Sequence, residues 1–235
     1  MYSRDEAGTI SAQNTRAAFF DVVGTLIHLH ERVGESYARI GARHGLHARP
    51  DQLEEGFRGA FHALSPMPIG GQKAWWREVV AASFATAGIE TESHCGFDDC
   101  FEELFAYFAT GRAWDVYGEA PGVLAQLQRA GLALWVVSNF DARLPQVLEE
   151  CDLARYFHGV VLSSEVGVAK PDPAIFMAAV SRAGCKPADC LHVGDDPLTD
   201  WQAARAVGLR VFELRRPELT LRDLLGLQGI PPPRN

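Results

Sequence analysis

Lysine is scarce in this chain of 235 residues. Only Lys73, Lys170 and Lys186 occur among 22 basic side chains. Elsewhere the sequence uses arginine, so the lysine at 170, after a candidate strand, marks a place where a compact point charge stands in for a planar fork. Basic charge is short overall. Thirty Asp and Glu residues give a formal net charge of -8, which speaks against a nucleic-acid surface because no cation excess exists to neutralise phosphates. There is no run of about 20 apolar residues, so no membrane-spanning helix is expected. The opening Met1-Tyr2-Ser3-Arg4-Asp5-Glu6 has no apolar stretch behind a basic start and does not read as a secretory signal. Cys95, Cys100, Cys151, Cys185 and Cys190 are odd in number and none are spaced C-x-x-C. They exclude a disulfide frame and a zinc site, and imply reduced thiols in a cytoplasmic protein. Internal repeats and low-complexity segments are also missing.

What is present is an ordinary globular composition, 47% hydrophobic, at a length that suits one large domain or a core carrying an inserted one. Short apolar runs end in polar residues. Ala17–Phe20 runs into Asp21, Leu132–Val137 into Ser138-Asn139, Gly159–Leu162 into Ser163-Ser164, and Leu191–Val193 into Gly194-Asp195-Asp196. Arg210–Leu214 is a fifth run. Helical patterns lie between the later runs, at Pro121–Ala130, Pro173–Ala183 and Asp200–Val207, each closed by a glycine. Near-continuous apolar strands alternating with helices predict an α/β fold, a doubly wound parallel sheet covered on both faces.

Residues 30–111 differ. Four helical patterns, Gly34–His44, Pro50–Ala63, Gln72–Ala87 and Phe97–Thr110, occur without a convincing strand. The expected organisation is a flexible lead-in (1–14), a core domain (15–29 and 112–235) and an all-helical insertion (30–111). The tail Pro231-Pro232-Pro233-Arg234-Asn235 reads as a loose end. The crossings near His28–His30 and Arg112–Trp114 would serve as hinges of a cap closing over the sheet.

In open α/β sheets ligands bind beyond the carboxyl ends of the strands, and four strand ends here carry Asp21, Ser138, Ser163-Ser164 and Asp195. Taken singly, each is as well explained as a turn or cap residue. As an ordered set they are more informative. Asp21-Val22-Val23-Gly24-Thr25, then Val136-Val137-Ser138-Asn139, then Lys170-Pro171-Asp172-Pro173, then Gly194-Asp195-Asp196 with Asp200 resemble the four motifs of the haloacid dehalogenase superfamily. The resemblance runs from about Ala17 to Leu214, and the helical stretch matches the cap that the family inserts between its first two motifs. Trp75-Trp76 and Ser138-Asn139-Phe140-Asp141 are similar to one branch of it.

The resemblance implies a hydrolase, of phosphatase type, acting on a small organic phosphate, with Mg2+ as cofactor. It makes Asp21 the nucleophile, with Ser138 and Lys170 beside it in catalysis, and Gly24, Thr25 and Asn139 contacting substrate. Asp21, the backbone carbonyl of Val23, Asp195 and Asp200 would hold the metal, with Asp196 as a further candidate. Hard carboxylate oxygens suit magnesium, and a carboxylate nucleophile suits transfer through a covalent intermediate.

One position departs from the phosphatase pattern. Where those enzymes carry a second aspartate as general acid and base, this chain has Val23, and losing such a group costs about 10²–10⁴-fold. Other readings therefore stay open: a metal- and phosphate-binding protein without turnover, a 2-haloacid dehalogenase, or a phosphonate hydrolase with Lys73 as the sole cap lysine. Three nearby carboxylates count against the dehalogenase, whose substrate is itself an anion. Trp75, Trp76, Phe84, Phe101, Phe105 and Phe108 fit helix cores better than a substrate box. Lys186 reads as surface, and His192, inside a strand, as a satisfied core or interface histidine. The sequence leaves oligomeric state and substrate identity open.

Overall fold

The computed structural model describes residues 15–65, 67–227 and 229. The lead-in of residues 1–14 and the proline-rich end at 231–235 lie outside the described residues. In chain order the elements are β1 (Ala17–Phe20), β2 (Ile27–Leu29), α1 (Val33–Arg43), α2 (Pro50–Leu64), α3 (Gln72–Thr86) and α4 (Phe97–Tyr107). They continue with β3 (Trp114–Val116), α5 (Ala120–Arg129), β4 (Ala133–Ser138), α6 (Leu144–Glu150), β5 (Gly159–Leu162), α7 (Ser163–Val166) and α8 (Pro173–Ala183). The last are β6 (Cys190–Gly194), a wide π-type turn at Pro197–Gln202, α9 (Ala203–Ala206), β7 (Arg210–Glu213) and α10 (Leu221–Leu227).

The chain divides into two compact units. The first comprises the residues up to His28, Val116–Pro145 and those from Asp152 onward. Its centre is a five-stranded sheet in the order β5-β4-β1-β6-β7, and all four pairings are parallel. All four residues of β1 are fully buried. That explains its unbroken Ala-Ala-Phe-Phe run, since a strand covered on both faces has no polar side. Ile175, Phe176, Ala179 and Val180 of α8 pack with Phe19, Val137 and Val161 in one cluster, and each large side chain so buried contributes about 1.5–3 kcal/mol. Two features aim the sheet at a ligand. The strands are parallel, so their carboxyl ends share one edge. The chain order also reverses at β1, which has β4 on one side and β6 on the other, and such a reversal opens a crevice at the strand ends.

The second unit, Leu29–Asp115 with Gln146–Cys151, holds α1 to α4. Its core gathers Tyr37, Ile40, Leu46, Leu53, Phe84, Phe97, Phe101 and Leu104, and the Tyr37 and Phe84 rings stack at 6.1 Å. Trp75 is buried as well, with its indole N–H donating to Leu64 O at 2.8 Å. These aromatics are helix core, as their spacing suggested.

Elements outside the expected set are short. β2 and β3 form their own two-stranded sheet, and α6, α7 and α10 carry four to seven residues each. The helix expected over 200–207 begins earlier, because Pro197 opens a π-type turn that passes into α9. Among the described residues no helix is long and apolar enough to cross a membrane.

Candidate active site

Asp21 extends β1 by one ladder bond, its N–H donating to Val193 O at 2.9 Å. On the neighbouring strand β6 ends at Gly194 and passes into Asp195. Two carboxylates therefore leave adjacent parallel strands at the same edge. The third is brought back by the π-type turn. Asp196 caps it, accepting from Leu198 N–H at 2.8 Å and Thr199 N–H at 2.6 Å. The Trp201 N–H then reaches Asp196 O, five residues back, at 3.2 Å, which is the wide spacing that defines a π turn. Trp201 also ties the turn to the strand end, donating from Nε1 to Gly194 O at 2.8 Å. One oxygen from each of Asp21, Asp195 and Asp200 lies within 4.8 Å of the others.

Two glycines make this convergence possible. A Cβ on Gly194 would stand 2.4 Å from Asp200 Cγ, and one on Gly24, whose φ is +87°, would stand 2.2 Å from Asp195 Oδ2. Gly24→Ala therefore destabilises the protein by at least about 1–2 kcal/mol from the left-handed backbone alone, with displacement of Asp195 added. The expected result is a lower denaturation midpoint in urea. An unchanged midpoint in that variant would contradict the close approach of Asp195 to position 24.

Lys170 sits buried among the acids, its Nζ donating to Asp21 Oδ1 and Asp200 Oδ1, both at 2.6 Å. Asn139 fixes the lysine's backbone from both sides: Lys170 N–H donates to Asn139 Oδ1 at 2.7 Å, and Asn139 Nδ2 donates to Lys170 O at 2.8 Å. Ser138 ends β4 almost fully buried, its Oγ accepting from Phe140 N–H at 3.1 Å. Thr25, fully buried, donates to Asp195 Oδ1 at 3.2 Å.

The charges respond to this crowding. Burial pushes the Asp21 carboxyl up, which Lys170 opposes and Asp200 reinforces. Desolvation of its carboxyl, with the charges of Asp21 and Asp200, pushes Asp195 up to about 6. Burial acts on Asp200 too, but hydrogen bonds from His192 and Lys170 outweigh it and hold that carboxyl well below the usual range. Lys170, despite a desolvation that disfavours its charge, is raised to about 12 by Asp21 and Asp200. Three carboxylates thus face one ammonium. The surplus negative charge and the hard oxygen donors suit a divalent cation such as magnesium.

Of the residues singled out from the sequence, Asp21, Lys170, Asp195 and Asp200 come together directly. Thr25 and Asn139, expected to touch substrate, hydrogen-bond Asp195 and Lys170 and hold them in place, and Gly24 leaves the space beside Asp195 that a side chain would fill. Asp196 is taken up by its capping bonds. Val23 is 41% exposed, so its side chain is not committed to the core. Lys73 is an exposed side chain of the helical unit, paired with Glu102 at 2.7 Å in a surface ion pair. His192 is the residue whose importance sequence reasoning missed. Its Nε2 lies 2.9 Å from Asp200 Oδ1 while Nδ1 has no hydrogen-bond partner among the described residues, so it is not the satisfied core histidine expected. Trp201 was also overlooked.

The motif order, the parallel sheet and the acid–lysine cluster agree with a wider match. The family model for haloacid dehalogenase-like hydrolases covers residues 15–208. The chain belongs to that family. The human haloacid dehalogenase-like hydrolase domain-containing protein 3 is 36% identical over 210 residues, covering 86% of this chain and 83% of the human protein. A phosphoserine phosphatase from Thermus thermophilus is 39% identical over 112 residues, 47% of this chain and 45% of its own. Among solved structures, a Bacillus subtilis HAD-hydrolase described as bound to magnesium superposes with a TM-score of 0.76 at 16% identity, over 93% of this chain and 100% of that one. At that identity the likeness speaks for the fold alone. Family membership makes this protein a hydrolase built on an α/β core with a helical insertion.

Proposed function

We propose that this haloacid dehalogenase-like hydrolase is a magnesium-dependent phosphatase that acts on a small organic phosphate through an aspartyl-phosphate at Asp21. The observation that carries the reading is the position of Lys170 Nζ, 2.6 Å from both Asp21 and Asp200, within three clustered carboxylates. That arrangement attracts a cation and, with it, an anion. The phosphatase relative supports the reading at the level of the family.

Asp21, Asp195 and the Val23 carbonyl would hold magnesium, with Asp200 behind them. Held by these residues, magnesium would supply charge neutralisation at the transferring phosphoryl group. The chain's own groups do the rest. An Asp21 carboxylate oxygen attacks phosphorus, the new O–P bond forms in line, and the ester P–O bond breaks with its electron pair on the leaving oxygen. Lys170 offsets the charge between nucleophile and phosphoryl oxygens, and Ser138 Oγ–H donates to one of those oxygens. Val23 has no proton to give, so the leaving oxygen takes its proton from solvent water. Water then attacks phosphorus and gives its proton to the solvent hydroxide left by the first step, the Asp21 O–P bond breaks with its electron pair on the carboxylate oxygen, and Asp21 and inorganic phosphate are released.

Phosphate release from a panel of phosphomonoesters and anhydrides, in magnesium and in chelator, tests this. Magnesium-dependent release is expected, fastest for good leaving groups because those need no acid. Equal release in chelator, or none with any compound, would overturn the reading.

The site also sets a pH dependence. Asp195 must be ionised to bind metal, and its carboxyl is pushed up to about 6, so protons compete with magnesium as pH falls through 6. Without metal, the folded chain holds this proton more tightly than the unfolded chain, whose ordinary value is 3.8. The contribution to stability is therefore present below that value and lost as pH rises through about 6. Magnesium should raise the melting temperature more at pH 7.5 than at pH 5. Equal shifts at both pH values would contradict this account of Asp195.

A further inference from the structure

We infer that His192 is a positioning residue that locks Asp200, and through it Lys170, in the geometry the nucleophile needs; this rests on the aspartyl-nucleophile reading of the site. His192 lies mid-strand in β6, paired in register with Phe19 of β1 and Val211 of β7. Its flanking residues Leu191 and Val193 are fully buried, and so is the imidazole. Packing alone asks for an apolar side chain at such a place, because a desolvated ring nitrogen is costly without a partner. The chain instead carries a histidine with one bonded nitrogen. Nε2 donates to Asp200 Oδ1 at 2.9 Å, and Nδ1 meets no hydrogen-bond partner among the described residues.

The receiving atom is telling. Asp200 Oδ1 is the same oxygen that accepts from Lys170 Nζ at 2.6 Å, while Oδ2 accepts from Asp196 N–H at 3.2 Å. Three donors from three segments, β6, the lysine loop and the turn after β6, therefore fix one carboxylate in plane and rotation. The edge of Phe176 at 4.9 Å and 81° from the imidazole holds the ring plane in turn. Without the imidazole, Asp200 is free to rotate about its side chain, and Lys170 loses the counterweight that keeps it shared with Asp21. The ammonium then settles on the nucleophile's oxygen and holds the electron pair that must attack.

The scarcity of lysine gives a direct readout. With lysine 15N-labelled at Nζ, three side-chain signals arise, one each from Lys73, Lys170 and Lys186, and the Lys170 signal is the one lost in Lys170→Arg. His192→Met fills the space without a donor, whereas His192→Gln keeps an N–H near the Nε2 position. In the intact chain the Lys170 ammonium is expected to exchange slowly with water, to exchange at least ~10-fold faster in His192→Met, and to return close to the original rate in His192→Gln. Turnover should follow, with kcat down about 10–100-fold in His192→Met at little changed KM, and largely recovered in His192→Gln. If His192→Met does not fold, His192→Asn, whose shorter amide falls short of Asp200, replaces it in the comparison. A folded Met or Asn variant with unchanged lysine exchange and kcat, or a Gln variant no better than it, would reduce His192 to packing and overturn the inference. The exchange signal needs no substrate, so it decides the role of His192 even if the parent chain releases no phosphate and the phosphatase reading fails.

Discussion

If Asp21 is the nucleophile as proposed, Asp21→Asn is expected to abolish phosphate release, a fall on the order of 10⁶-fold, the scale seen when the nucleophile of a covalent hydrolase is removed. An amide oxygen does not attack phosphorus, and no described neighbour offers a replacement. Asp200 is pinned by three donors, and Asp195 belongs to the proposed cation site. The fold should survive the change. The amide is isosteric, its oxygen still accepts from Lys170 Nζ, and a buried charge that burial disfavours has been removed. The check pairs kcat in magnesium with the melting temperature. A variant that stays folded and still releases phosphate at a tenth of the original rate would move the nucleophile elsewhere.

Val23→Asp is expected to do the opposite and raise kcat about 10²–10⁴-fold on substrates with poor leaving groups, the range typical of a general acid and base. The side chain at 23 is 41% exposed, and substitutions at such positions usually change stability by no more than about 0.5 kcal/mol. The backbone carbonyl, which would face the metal, is untouched. On compounds with good leaving groups the gain should be small, because proton donation is not what limits them. The measurement is kcat across a series of phenyl phosphates of graded leaving-group acidity. A steep dependence in the parent chain that flattens in Val23→Asp supports the account. Parallel slopes would show that the missing aspartate is not what limits turnover.

The legible parts of the sequence were those with local causes. Ala17–Phe20 is a fully buried strand and Gly159–Leu162 and Arg210–Glu213 are partly buried ones, all announced by their apolar runs, and Pro173 with Gly184 brackets α8. Asp21 and Asp195 were readable because each ends such a run. What escaped was set by distance. β2 and β3 are three-residue strands with polar residues inside, and their stability comes from pairing with one another across more than eighty residues. The turn at Pro197 is held by the Asp196 cap and by Trp201 reaching Gly194 O, which no periodicity encodes. His192 looked like core because strand position reports burial. Its partner Asp200 lies eight residues on, around a turn of unusual width. The resemblance named Asn139 and Thr25 but not their bonds to Lys170 and Asp195, which join segments far apart in the chain.

The most direct test of the central claim is to trap the covalent state. The chain would be mixed with a turned-over phosphoester and magnesium, quenched in acid within one turnover, treated with borohydride and mapped by peptide mass spectrometry. Borohydride reduces an aspartyl-phosphate to homoserine and leaves a free carboxylate alone. The account predicts homoserine at position 21, dependent on magnesium and absent with chelator. Phosphate release with Asp21 recovered unchanged, or homoserine at another aspartate, would contradict it.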